Sequence, residues 1–112
     1  MSNASKQRGT AAETAVVNYL HANGFPHVER RALAGVNDRG DISGIPGVVL
    51  EVKNCKRIEL AGWADELDVE MRNAGAYLGA VIAKRKGTTD VGRWYAILPV
   101  SVLVDLLREG EE

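Results

Sequence analysis

Apolar positions recur along this chain with two different periods, and the switches between them mark its elements. Val16, Val17 and Leu20 follow Thr10-Ala-Ala-Glu13 at helical spacing, and that Thr-x-x-Glu quartet is a capping box, so a first helix is predicted from Thr10. Asn23-Gly24 ends it, with the glycine as a left-handed cap and Phe25-Pro26 leaving the helix axis. Val28 to Ala34 predicts a strand, and residues 35–40 a loop. Asp41–Ile45 and Val48–Lys53 predict two short strands around a Pro46-Gly47 turn, a hairpin signal. Across residues 61–73, Trp63, Leu67 and Met71 stand at i, i+4 and i+8 under an acidic outer face, the pattern of an amphipathic helix. Tyr77–Ala83 is almost continuously apolar, as in a strand covered on both faces. A basic turn (Lys84–Asp90), a strand (Arg93–Leu98) and a closing helix (Val100–Arg108) complete the chain. The order α-β-β-β-α-β-β-α predicts an α/β domain with a mixed sheet and helices on its faces. Residues 1–9 are expected as a flexible arm and residues 10–112 as one domain.

Composition narrows the classes. With 112 residues, 46% hydrophobic and 26% charged, the chain is globular rather than disordered. No apolar run approaches the roughly 18 residues of a membrane span. The polar N-terminal segment MSNASKQRGT has no apolar stretch of a secretory leader. Cys55 is the only cysteine, which excludes an intramolecular disulfide and a cysteine-based zinc site. A cytoplasmic location is the expectation. The net charge of −1 hides an uneven distribution: residues 59–70 carry only acids among their charged side chains, whereas basic residues gather earlier and at 84–86.

The stretch with most chemistry is Gly40-Asp-Ile-Ser-Gly-Ile-Pro-Gly-Val-Val-Leu-Glu-Val-Lys53. Strand alternation puts Glu51 and Lys53 on one face, roughly 6.7 Å apart, and Val48, Leu50 and Val52 on the other, facing the core. The hairpin folds Asp41 back beside Glu51. Two carboxylates and a backbone carbonyl, that of Val52, are hard oxygen ligands of the kind Mg²⁺ takes, with Mn²⁺ as a substitute. The Lys53 ammonium beside them can hold or help deprotonate a water, or balance charge on a phosphate. Glu-x-Lys by itself is ordinarily a solvated pair. The Asp ten residues earlier, the intervening Pro-Gly turn and an acid on the first helix set this one apart.

These residues resemble the PD-(D/E)XK nuclease superfamily, with Asp41 and Glu51-Val52-Lys53 as its split motif and Gly40 where that superfamily often has proline. The order Gly9, Glu13, Gly24-Phe25, a strand arginine (Arg30 or its neighbour Arg31), Asp41-Ile42 and Glu51-Val52-Lys53 is similar to archaeal-type Holliday-junction resolvases and their phage and bacterial relatives. The resemblance implies a restriction-endonuclease-like αβββαβ core, with an extra strand and a C-terminal helix here. It also implies Mg²⁺-dependent hydrolysis of phosphodiesters in four-way DNA junctions. Asp41 and Glu51 would hold metal, Lys53 would assist, and Glu13 would complete the shell, although Glu13 also fits a purely structural capping role. A flap or repair nuclease of the VRR-NUC type shares these ligands, and a DNA-binding module with a vestigial site is the non-enzyme alternative.

Lys6, Arg8, Arg30, Arg31, Lys56, Arg57 and Lys84-Arg85-Lys86 are the candidate phosphate contacts. His21 and His27 lack metal-ligand spacing and are expected to make local hydrogen bonds. Cys55 is expected as a small buried filler, and Trp63 and Trp94 as core. Paired cuts in a junction call for two sites, so a two-fold homodimer is expected, with the closing helix (Val102, Leu103, Leu106, Leu107) and the Arg93–Leu98 strand as contact surfaces.

Overall fold

The computed structural model describes residues 3–31 and 37–110. Helix α1 spans Asn3–Ala22 and is followed by β1 (Glu29–Arg30), β2 (Ile42–Ser43) and β3 (Val48–Lys53). Helix α2 (Leu60–Ala74), β4 (Leu78–Ala83), a single 3₁₀ turn (Val91–Arg93), β5 (Tyr95–Ile97) and α3 (Val100–Glu109) complete the order. This is the αβββαβ restriction-endonuclease-like core with one added strand and one added helix. The expected element order is present throughout, with shorter strands than the apolar pattern suggested. The 32–34 portion of the first predicted strand lies outside the described residues.

One boundary moves substantially. Residues 3–9, expected as an arm, are the first turns of α1, so Thr10 is an interior helical residue and not an N-cap. Side-chain hydrogen bonding explains why the quartet misled. Thr10 and Glu13 do lie on one face, but they turn to the Arg30 guanidinium of β1 instead of back to the helix's own amides.

The five strands stand in chain order, β1-β2-β3-β4-β5. Every neighbouring pair is antiparallel except β3 and β4, which run parallel across six paired residues, Val48 opposite Leu78 through Lys53 opposite Ala83. A parallel pair needs a crossover, and α2 supplies it. The sheet therefore separates two apolar layers. On one face α1 contributes Ala12, Val16 and Val17 to a cluster with Val28, Ile42, Val52 and Trp94. On the other, Trp63 and Leu67 of α2 pack on Val49, Val81 and Ala83. The α2–β4 approach is close enough that a methyl on Gly79 would stand 2.7 Å from the Met71 sulfur. Tryptophans 63 and 94 are core residues, as expected.

Helix α3 is different. Only Val102 is buried, while Val100, Leu103, Val104, Leu106 and Leu107 remain exposed. Among the described residues no helix is long and apolar enough to cross a membrane.

Candidate metal centre

Strand parity decides which side chains meet. In β3 the residues of odd number face α2: Val49 joins the Trp63 cluster, and Glu51 and Lys53 follow it on the same side. Leu50 and Val52 face α1. On α2, Glu70 stands three residues after Leu67 and seven after Trp63, so it shares their buried stripe. The expected acidic outer face of this helix therefore needs correcting at Glu70, which is only 3% exposed. It is carried beneath the sheet to Glu51, itself 5% exposed.

The third carboxylate is Asp38, from the loop before β2. Its Oδ1 accepts a hydrogen bond from the Gly40 N–H at 2.9 Å, and its main-chain carbonyl accepts one from the Asn73 side-chain amide at 2.9 Å. The first bond closes a local turn within the loop, and the second ties the loop to α2. Asp38, Glu51 and Glu70 each offer one oxygen, and all three oxygens lie within 4.8 Å of one another. Asp41 borders them. Its Oδ2 accepts from the Val52 N–H at 2.7 Å, and its carboxyl hydrogen-bonds with that of Glu51.

Carboxylates this close and this dry cannot all stay ionised. Burial, then hydrogen bonds with Asp41 and Glu70, pushes the Glu51 carboxyl up to about 11. Burial also raises Glu70. Even so, Glu51 Oε1 and Glu70 Oε1 are buried with no hydrogen-bond partner. An unsatisfied buried carboxylate oxygen costs several kcal/mol, roughly. A divalent cation supplies what the protein withholds, a positive charge facing several convergent oxygens. The donor set is all oxygen, which suits Mg²⁺, Mn²⁺ or Ca²⁺ and not a thiolate- or imidazole-seeking metal. These residues fit such an ion.

Lys53 is next to the cluster and ion-paired: its Nζ donates to Glu66 Oε2 at 2.8 Å. Burial pulls the ammonium down, but the hydrogen bond to Glu66 together with the nearby Glu51 and Glu66 charges outweighs it, and the net shift is upward. Lys53 is therefore a fixed cation at neutral pH. Glu13 takes a separate position. It faces the sheet from α1, accepts from Arg30 Nε at 3.0 Å, and is raised by burial against that bond, with the Asp41 charge adding to the rise. It is not one of the three clustered carboxylates.

Beyond Lys53, at the carboxyl ends of β3 and β4, lies an open cleft of about 540 Å³. It gathers Arg8, Lys56, Lys84 and Lys86 from the expected phosphate contacts, with Lys53 and Cys55. Crevices at this end of parallel strands are the usual ligand sites of α/β sheets. Lys84 Nζ is also 5.7 Å from the centre of the Trp94 ring. Lys6, Arg57 and Arg85 are exposed outside the cleft lining. Arg30 is engaged by Glu13, and Arg31 belongs to a different cleft. Cys55 is exposed, not the buried filler expected, because the strand has ended before it. His21 does make a local bond, from Nε2 to the Val28 carbonyl at 2.6 Å.

Sequence pattern alone pointed to Asp41, Glu51 and Lys53 and missed Asp38, Glu66 and Glu70. Glu70 carried a legible signal, an acid in register with an apolar helical stripe. Asp38 carried none, since only the folded loop brings it in. Compared with protein-family models, with curated proteins and with solved structures, the chain matches none. The relationship that stands is architectural: an α/β domain whose clustered acids are consistent with a metal-binding fold of the PD-(D/E)XK kind.

Proposed function

We propose that this protein is a divalent-metal-dependent DNA endonuclease acting on branched DNA, with the four-way junction as its principal substrate. The observation that carries the reading is the buried cluster of Asp38, Glu51 and Glu70, two of whose oxygens lack any partner, with Lys53 two residues along the same strand at the mouth of a cationic cleft.

The residues divide the work. Asp38, Glu51 and Glu70 would hold the ion, with Asp41 at its edge. A divalent ion held there would supply charge for a phosphoryl oxygen and make a water more acidic. Asp41 is fixed by the Val52 amide, which holds its carboxylate beside β3. Lys53, held charged by Glu66, stabilises negative charge growing on the phosphate. Arg8, Lys56, Lys84 and Lys86 hold flanking phosphates without reading bases, which suits selection by DNA shape. The α1 carboxylate Glu13 holds Arg30 on β1 through its ion pair.

A junction needs two cuts related by two-fold symmetry, and each chain has one such cluster among its described residues. The working unit is then a homodimer, and the apolar side chains left exposed on α3 are its contact surface.

The test is cleavage of a labelled four-way junction, a flap, a duplex and a single strand, each with Mg²⁺ and with chelator. Paired, Mg²⁺-dependent cuts in the junction are the expected result. Preferential flap cutting would transfer the protein to a repair-nuclease role with the same ligands. Junction binding without any cutting would leave a non-catalytic module.

A further inference from the structure

At the amino end of β3, opposite to the cationic cleft, a second open cleft of about 480 Å³ is lined by Arg31, Arg39, His27 and the Gly44–Val48 turn. Neither arginine forms an ion pair with a described carboxylate. Arg31 Nε is buried and has no hydrogen-bond partner. The segment between them, residues 32–36, reads Ala-Leu-Ala-Gly-Val and has no acidic side chain to offer. A guanidinium N–H kept from water without an acceptor is costly, and two cations sharing one recess repel. Such a site is completed by an anion. Forked arginine donors match the oxygens of a phosphate.

We infer that Arg31 and Arg39 form a second phosphate-binding site, occupied by a phosphodiester of the same nucleic acid that reaches the carboxylates. This deepens the proposed function and rests on it for the identity of the ligand. Placement argues for a continuous track. Val48 belongs to the Arg31 cleft and Lys53 to the Lys84 cleft, so the two ends of one strand carry the two cationic sites. Glu51 lies between them, and Arg39 directly follows Asp38 of the carboxylate cluster. From Val48 to Lys53 the strand advances roughly 17 Å at about 3.3 Å per residue. At about 3.4 Å of rise per nucleotide, that is about five nucleotides of a duplex arm. The scissile phosphate would sit within this stretch, with cations gripping the strand on both sides.

Arg39 is exposed and carries the test; the half-buried Arg31 serves as a second position. The measurement is binding of a fluorescent duplex and a four-way junction in Ca²⁺ across a salt series, for the native chain, Arg39→Ala, Arg39→Glu, Arg31→Gln and Lys86→Ala. Inorganic phosphate and pyrophosphate are titrated in parallel and followed by the arginine Nε–H resonances. The expected result is weaker DNA binding for each arginine variant, with the salt slope shallower by about one per arginine removed and Arg39→Glu weaker than Arg39→Ala. Unchanged affinity and slope in Arg39→Ala and Arg39→Glu, beside a loss in Lys86→Ala, would overturn the second site and leave the nuclease reading standing. A native chain that binds no DNA but shifts its Arg31 and Arg39 resonances with pyrophosphate would instead retain the phosphate site and remove the nucleic acid as its ligand. No response to either probe would overturn the site outright.

Discussion

Asp41 and Val52 are joined across the β2–β3 hairpin by a 2.7 Å bond from the Val52 amide to the Asp41 carboxylate. The bond occupies Asp41 Oδ2 and ties this carboxylate to β3, one residue from Glu51. The cluster beside it is made by Glu51, Glu70 from α2 and Asp38 from the preceding loop, while the α1 acid Glu13 stays with Arg30. The bond makes Asp41 separable from the other acids: Asp41→Asn retains an acceptor for the Val52 amide, whereas Asp41→Ala loses it. We expect Asp41→Ala to lose about 1–3 kcal/mol of stability as well as cleavage, and Asp41→Asn to lose cleavage with a smaller change in melting temperature. Equal melting curves for the two variants would show that the bond does not orient the site.

Removing the Glu70 carboxyl should have opposite effects on stability and activity. Glu70→Gln removes a buried ionisable carboxyl and gives Glu51 an amide donor, so the metal-free protein should melt higher than the native chain above about pH 7. The same change removes an ion ligand, and cleavage should fall on the order of 10³-fold or more. Thermal melts in chelator, paired with calorimetric Mg²⁺ titration, check both arms. A Glu70→Gln variant that melts lower and still binds Mg²⁺ would remove Glu70 from the centre.

The buried glutamates also fix how stability varies with pH. Glu51 and Glu70 bind a proton more tightly in the folded chain than in the unfolded one, so the folded state carries the extra protons. Their contribution is full below the ordinary carboxylate value of 4.5 and is lost as pH rises towards the folded values, about 11 for Glu51. Without divalent ions the melting temperature should therefore decline from about pH 5 to about pH 8 through this effect. Excess Mg²⁺ replaces the protons, so the curves with and without it should coincide near pH 5 and separate steadily above. Curves that coincide at pH 8 would remove the ion from the cluster.

The parts of the fold set by local chemistry were legible in the sequence, and those set by tertiary meeting were not. Trp63, Leu67 and Met71 announced α2, and the unbroken apolar run announced β4, because each pattern is repeated over several residues. The Asp41 to Lys53 spacing was readable because a short hairpin leaves few ways to pair its strands. By contrast, the start of α1 was misplaced because Thr10 and Glu13 look like a cap and instead bind Arg30, a partner 17 to 20 residues away. Glu70 was hidden among other acids and would have been recovered by treating its register with Leu67 as significant. Asp38 depends on the loop geometry around Gly40, which no periodicity records.

Gly40 itself yields a sharper expectation. Its φ of 96° suits glycine and is closed to proline, whose ring fixes φ near −65°, so the residue common before this aspartate in the resembling superfamily has no place here. A methyl group at Gly40 would also come within 2.9 Å of the Leu50 carbonyl oxygen, part of the backbone that cannot step aside. Gly40→Ala should cost about 1–3 kcal/mol. Because Gly40 also donates to Asp38 and separates it from Asp41, Mg²⁺ affinity should fall too. Chemical denaturation with a Mg²⁺ titration measures both, and native stability in Gly40→Ala would contradict the strained turn.

The dimer stands or falls on α3. Val100, Leu103 and Leu107 repeat at i, i+3 and i+7, the spacing of a helix seam, and all three are exposed, Val100 by 75% and Leu107 by 61%. Beside the helix lies an apolar trough of about 310 Å³ lined by Leu60, Ala64, Val81, Ile97 and Pro99. In the proposed two-fold pair, each ridge would be set against the other chain's trough. Light scattering at micromolar concentration should therefore return twice the chain mass. Leu103→Glu with Leu107→Glu should return the single chain mass with an unchanged melting profile at low concentration, because neither side chain is part of the monomer's core. That monomer should still bind junctions, more weakly, and should nick one strand where the native dimer cuts two. A native chain that is monomeric and nonetheless makes paired cuts would show that α3 serves some other contact.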